Sequence, residues 1–125
     1  MLDAKKLFNH IAASANITQP LFIRLFNEGL HVIASAHNDV YILDDETVEV
    51  DGVETPVYTV VADLTTYDGS TGVHEDYTDA LLNYILFKLT KDESYYALFK
   101  RTEDNAYRKR WRAYVAGKTI KGVRS

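Results

Sequence analysis

The sequence predicts a mainly helical α+β domain, with four helices and a β-hairpin inserted between the second and the third. Three observations predict it. Apolar residues recur at helical spacing in four segments. Between the second and third of these, valine-rich runs flank Asp51-Gly52, the strongest short-range hairpin signal. The chain has 125 residues, 46% of them hydrophobic, which suits one domain with its own core. The expected organisation is a helical domain over 1–117, with the hairpin at about 40–62, and a basic tail over 118–125.

The first helix begins at Asp3, a good N-cap, and carries Ala4, Leu7, Phe8, Ile11 and Ala15 as its apolar stripe, with Asn16 to end it. Thr18 caps the second, and Pro20 fits its first turn, where a missing N–H costs nothing. Its expected buried face is Phe22, Leu25, Phe26, Val32, Ile33 and Ala36. Gly29 lies on that face, where it serves close helix packing or acts as a hinge.

In the middle, Val40 to Leu43 reads as a short apolar strand, and Thr47–Val50 and Val53–Ala62 as the hairpin arms. Pro56 restricts the second arm to an edge or a bulge. The Asp68 to Gly72 stretch reads as a loop. Two strands alone are marginal, so the hairpin needs the helices or another subunit.

Glu75, Asp76 and Asp79 suit the positive end of the third helix, and Lys88 and Lys91 its other end. The run from Ala80 to Leu89 is apolar nearly all round, which predicts burial on most sides, above all at Leu82, Ile85, Leu86 and Leu89, with Phe26 and Phe99 packed nearby. After Asp92-Glu93-Ser94, a fourth helix runs from about Tyr95 to Ala116. Its stripe is Tyr95, Leu98, Phe99, Thr102, Ala106 and Ala113, and a second edge carries Tyr96, Tyr107, Trp111 and Tyr114. Gly117 is a natural stop.

Net charge is −4, but the two signs are segregated. From Lys100 to Ser125 there are nine Lys/Arg and two Asp/Glu, a net of +7; residues 1 to 99 carry a net of −11. Between Asp39 and Asp79 there are twelve acidic residues and no Lys or Arg. A domain that needs only solubility mixes its signs, so the segregation predicts a partner, or a second copy, that meets each end differently.

Signs of catalysis are few. There is no cysteine, which excludes disulfides, zinc–thiolate sites and thiol catalysis. The sequence contains neither a Gly-rich phosphate loop nor a G-x-S-x-G elbow. His31 and His37 are six apart, not at the four-residue spacing of two ligands on one helical face, and all four histidines read as ordinary ones. Asp44-Asp45-Glu46 lacks the alternating ligands and glycine of a calcium loop and reads as a solvated turn. No enzyme activity, metal or cofactor is expected. No apolar run reaches 18 residues and the N-terminus has no signal-like segment, so no membrane partner is expected and the chain is expected to stay in the cytoplasm where it is made.

The cluster Arg108-Lys109-Arg110-Trp111-Arg112 has three readings: a solvated last turn complementing the helix dipole, a protein-binding surface, or a nucleic-acid surface of cations and stacking rings. Arg108 and Arg112 share one side of the helix, while Lys109 and Arg110 point elsewhere.

The acidic start Glu75-Asp76-Tyr77-Thr78-Asp79, the apolar Ala80 to Leu89, then Lys91-Asp92 and a long helix with spaced aromatics and a basic end, resemble the closing helix pair of tailed-phage head–tail connector (adaptor, or head-completion) proteins. The order of two helices, a strand-containing excursion and two helices is similar as well. The resemblance covers about 40 residues in detail. Arg110-Trp111-Arg112 and the unusually acidic middle depart from it. It implies a connector-like four-helix domain acting as a structural virion protein. Copies would form a homo-oligomeric ring, commonly of twelve, that docks beneath the portal protein and extends the DNA channel toward a tail or tail-completion protein. DNA would pass through without sequence-specific binding. On this reading Tyr107, Arg108, Arg110, Trp111, Arg112, Tyr114, Lys118, Lys121 and Arg124 bind the portal or a neighbouring subunit. Asp44, Asp45, Glu46, Glu49, Asp51 and Glu54 form an acidic channel or interface face. The place of action is the head–tail junction of the virion. The alternative is a small nucleic-acid-binding module using the basic helix and tail.

Overall fold

The structure is a computed structural model that describes residues 2–36, 47–56, 62–69 and 71–124. It is mainly helical, with one short strand pair. Among the described residues the elements are α1 (Ala4–Ala12), α2 (Gln19–Ala36), β1 (Thr47–Val50), β2 (Val53–Pro56), a 3-10 turn (Glu75–Tyr77), α3 (Thr78–Thr90) and α4 (Glu93–Arg124).

Local chemistry explains the helix starts. The Asp3 side chain accepts the Lys6 backbone N–H at 3.1 Å, and Thr18 Oγ1 accepts that of Leu21 at 3.3 Å. Asp92 Oδ1 accepts the Ser94 N–H at 2.9 Å and its hydroxyl at 2.8 Å, so α4 starts at Glu93, two residues before the expected Tyr95. Lys91 takes the left-handed conformation that ends α3, its N–H donating to the Phe87 carbonyl at 2.7 Å.

The core lies where α3 packs against α2, α4 and, more lightly, α1. Ile11, Phe22, Phe26, Leu30, Ile33, Tyr77, Leu81, Ile85 and Phe99 are among its largest buried members. Gly29 serves close packing: a Cβ there would stand 2.8 Å from Tyr84 Cδ1 and 3.1 Å from Leu81 Cδ2. The Phe8 ring meets those of Phe22 and Tyr67 edge to face, each at a centroid separation of 5.3 Å, as Tyr84 meets Phe99 at 5.2 Å.

β1 and β2 pair antiparallel, with Val50 opposite Val53 and Glu49 opposite Glu54. Asp51 and Gly52 both have positive φ, 53° and 79°, the I′ geometry that matches strand twist. β2 spans Val53–Pro56, while residues 57–61 of the expected longer arm, and the expected strand at 40–43, lie outside the described residues.

Several expectations are corrected. On α3 only Ile85 of the four named residues is fully buried; Leu82, Leu86 and Leu89 are half-buried, because α3 turns Ala80, Leu81, Tyr84 and Ile85 inward. Val32 is 39% exposed, at the edge of the inward row 22, 25, 26, 29, 30 and 33; Ala36 continues that row but, as the last residue of α2, is exposed. On α4 the inward row is Phe99, Glu103, Ala106 and Arg110, a heptad-like spacing, which leaves Leu98 exposed; Ala113 continues that row but is exposed as well. The expected stop at Gly117 is absent: α4 continues to Arg124, so the expected basic tail is helical. An interior glycine weakens a helix by only about 1 kcal/mol and does not force it to end.

Candidate functional site

The basic cluster of α4 splits by direction. Residues 99, 103, 106 and 110 face the body, so helical periodicity turns Arg101, Arg108 and Arg112 outward. All three are exposed, and Trp111 beside them is 44% exposed. Arg108 Nε lies 3.0 Å from Asp104 Oδ2, an exposed pair one turn apart. Arg101 was not among the residues singled out in the sequence; its spacing of seven from Arg108 is the signal that identifies it.

Arg110 is corrected as a contact residue: it is 8% exposed, on the opposite side of the helix from Arg108. It stands with buried Glu103 near the Tyr77 phenol, which both perturb, and Tyr107 is half-buried in the same cluster. Burial, reinforced by the Glu103 carboxylate, raises the Tyr77 phenol well above the usual range. The Tyr77 hydroxyl is buried with no hydrogen-bond partner among the described residues. Lys109 Nζ reaches Asp76 Oδ1 at 3.3 Å. Lys109, Arg110 and Tyr107 thus lie on the side that docks α4 on the 3-10 turn, while Arg108, Trp111 and Arg112 look away from it. The side chains of Tyr114, Lys118, Lys121 and Arg124 lie outside the described set.

Of the acidic face, Glu49 and Asp51 are exposed at the hairpin tip; Asp44, Asp45, Glu46 and the Glu54 side chain lie outside the described residues. Val50 and Val53, paired across the turn, are 51% and 64% exposed. Among the described residues the two strands make their principal contacts with each other.

Two histidines have structural partners. His74 Nδ1 accepts the Asp76 N–H at 3.1 Å and caps the 3-10 turn, and His31 Nε2 lies 2.6 Å from Asp63 Oδ1. An open depression beside α1 and α3 is lined by Asp3, Lys6, His10, Glu75, Asp79 and Leu82, among others. Among the described residues no three His, Asp or Glu side chains gather as metal ligands, and no helix is long and apolar enough to cross a membrane.

Comparison of the chain with family models, curated proteins and solved structures returns no significant match.

Proposed function

We propose that the chain is a ring-forming head–tail connector of a tailed phage, a four-helix connector-like domain whose inserted hairpin serves contacts between subunits. The observation that carries the reading is the outward face of α4, where Arg101, Arg108 and Arg112 are exposed beside a 44%-exposed Trp111. An arginine row with an aromatic anchor has the composition of a protein-contact surface. The segregation of −11 from +7 along the chain supports a heterologous contact, in which one face of a subunit meets a different face of the next, as ring closure requires. The partners on this reading are further copies, the portal and a tail protein, at the head–tail junction of the virion, with no catalytic step.

The same arginine row with Trp111 favours a second reading, a nucleic-acid module that holds phosphates on the guanidinium groups and a base on the indole. The sixteen carboxylates of residues 1–99 oppose it through the chain's own field.

Light scattering and electron microscopy of the purified chain, alone and with a tailed-phage portal, separate the two. Multi-subunit rings, or ordered co-assembly with the portal, support the connector. A species that stays monomeric under both conditions and binds DNA with steep salt dependence supports the module.

A further inference from the structure

We propose that the tip of the β1–β2 hairpin of one copy seats on the outward face of α4 of the next. The proposal rests on the ring reading and names the two surfaces that meet in it.

The tip has what such a contact needs. Val50 and Val53 are register partners and both are more than half exposed, so they form a small apolar pair next to a rigid turn. Asp51 at the turn beside them is exposed, as is Glu49 one residue back on the hairpin's other face, and the strands carry no cation. Asp51 and Gly52 fix the turn in I′ geometry, so the tip is preorganised and loses little freedom on docking.

The outward face of α4 is its complement in both chemistry and sign. Trp111 offers an exposed apolar surface for the valines, and Arg108 and Arg112, one turn apart, offer guanidinium groups for the carboxylates. Asp104 is the acidic residue already bound to Arg108, and a tip carboxylate would share or replace it. A second copy supplies tip and face together, and each copy then has one of each, so that the contact propagates head to tail.

The test is a charge exchange on the full chain. Glu49→Arg with Asp51→Arg, and separately Arg108→Glu with Arg112→Glu, should each weaken self-assembly by about tenfold or more, because attraction becomes repulsion at two positions. Thermal melts followed by circular dichroism establish that both variants fold. Mixed in equal amounts, the two variants should recover assembly, since each then meets a neighbour of opposite sign. Val50→Ser with Val53→Ser should weaken assembly at high salt, where the charges are screened. Rings of undiminished affinity in the folded Glu49/Asp51 variant would overturn the docking while leaving the ring reading in place; so would a mixture that fails to recover. A wild-type chain that remains monomeric even with portal would overturn the ring reading and this contact with it.

Discussion

Asn27 holds the backbone of Leu64 at two points. Its Nδ2 donates to the Leu64 carbonyl at 3.0 Å, and its Oδ1 accepts the Leu64 N–H at 2.7 Å. One side-chain amide thus does for Leu64 what a neighbouring strand would do, and it fixes that buried side chain against the second helix. Asn27→Ala should lower stability by about 1–3 kcal/mol, because it leaves two backbone groups without partners. Asn27→Asp, which keeps an acceptor and loses the donor, should also destabilise. Urea titration of the three proteins reads both effects.

Gly29→Ala should destabilise although alanine is the better helix former. The added methyl would meet Tyr84 Cδ1 at 2.8 Å, and overpacking of this kind costs about 1–3 kcal/mol against a propensity gain of about 1. Tyr84→Leu in the same background should recover part of the loss. A double-mutant cycle measures that coupling, and strict additivity would show that the two residues do not compete for the space.

Tyr77→Phe should be neutral or stabilising, since the hydroxyl it removes is buried and makes no hydrogen bond among the described residues. The sign of the pH effect follows from the raised phenol. A group whose folded pKa lies above its unfolded value contributes stability that is intact below the unfolded value, about 10 for tyrosine, and is lost as pH rises through the folded one. Wild type should therefore lose stability above about pH 10 more steeply than Tyr77→Phe. Melting curves from pH 8 to 11 provide the comparison.

The carboxyl of Asp92 should titrate below the ordinary aspartate range, because the Ser94 backbone N–H and then its hydroxyl hold the charged form. A depressed folded pKa contributes stability that is present above the unfolded value and is lost as pH falls through the folded one. Asp92→Ala should lower the melting temperature at neutral pH and show less difference from wild type in strong acid. Carbon-detected NMR titration of Asp92, repeated in Ser94→Ala, should show the pKa rising when the hydroxyl is removed.

Ile85→Ala should cost about 2–5 kcal/mol, and Leu86→Ala clearly less. The two residues are adjacent and equally apolar, and the difference lies in which side of α3 each occupies. Equal losses in urea melts would contradict the observed rotation of the helix.

That pair also shows where the sequence was readable and where it was not. Asp3, Thr18 and the Asp51-Gly52 turn act through atoms two or three residues away, so their chemistry can be read locally. On α3 the pattern is apolar on every side and carries no phase, so the helix was legible and its rotation was not. Arg110 was expected at a partner contact and Glu103 was not singled out; the inward placement of both depends on Tyr77, which is distant in sequence. The Asn27–Leu64 contact spans 37 residues and leaves no mark on either local pattern. At the candidate site helical spacing placed Arg108 and Arg112 on one side of the helix, but not which way that side faces. The separation of Arg110 from them in role required knowing which side of α4 meets the body.

Continuous as a helix, α4 is fastened in two different ways. Near its start, Phe99 is sealed against the Tyr84 ring, and Tyr96 packs at a tilt against Phe87. Past Ala106 the attachments among the described residues include the Lys109–Asp76 ion pair and the approach of Arg110 and half-buried Tyr107 to Tyr77. Lifting residues 107–113 away would bare less hydrocarbon than freeing Phe99, chiefly around Tyr77 and Tyr107. Amide protons there should exchange through an opening that urea promotes less steeply, whereas those around Phe99 should exchange only when the whole core comes apart.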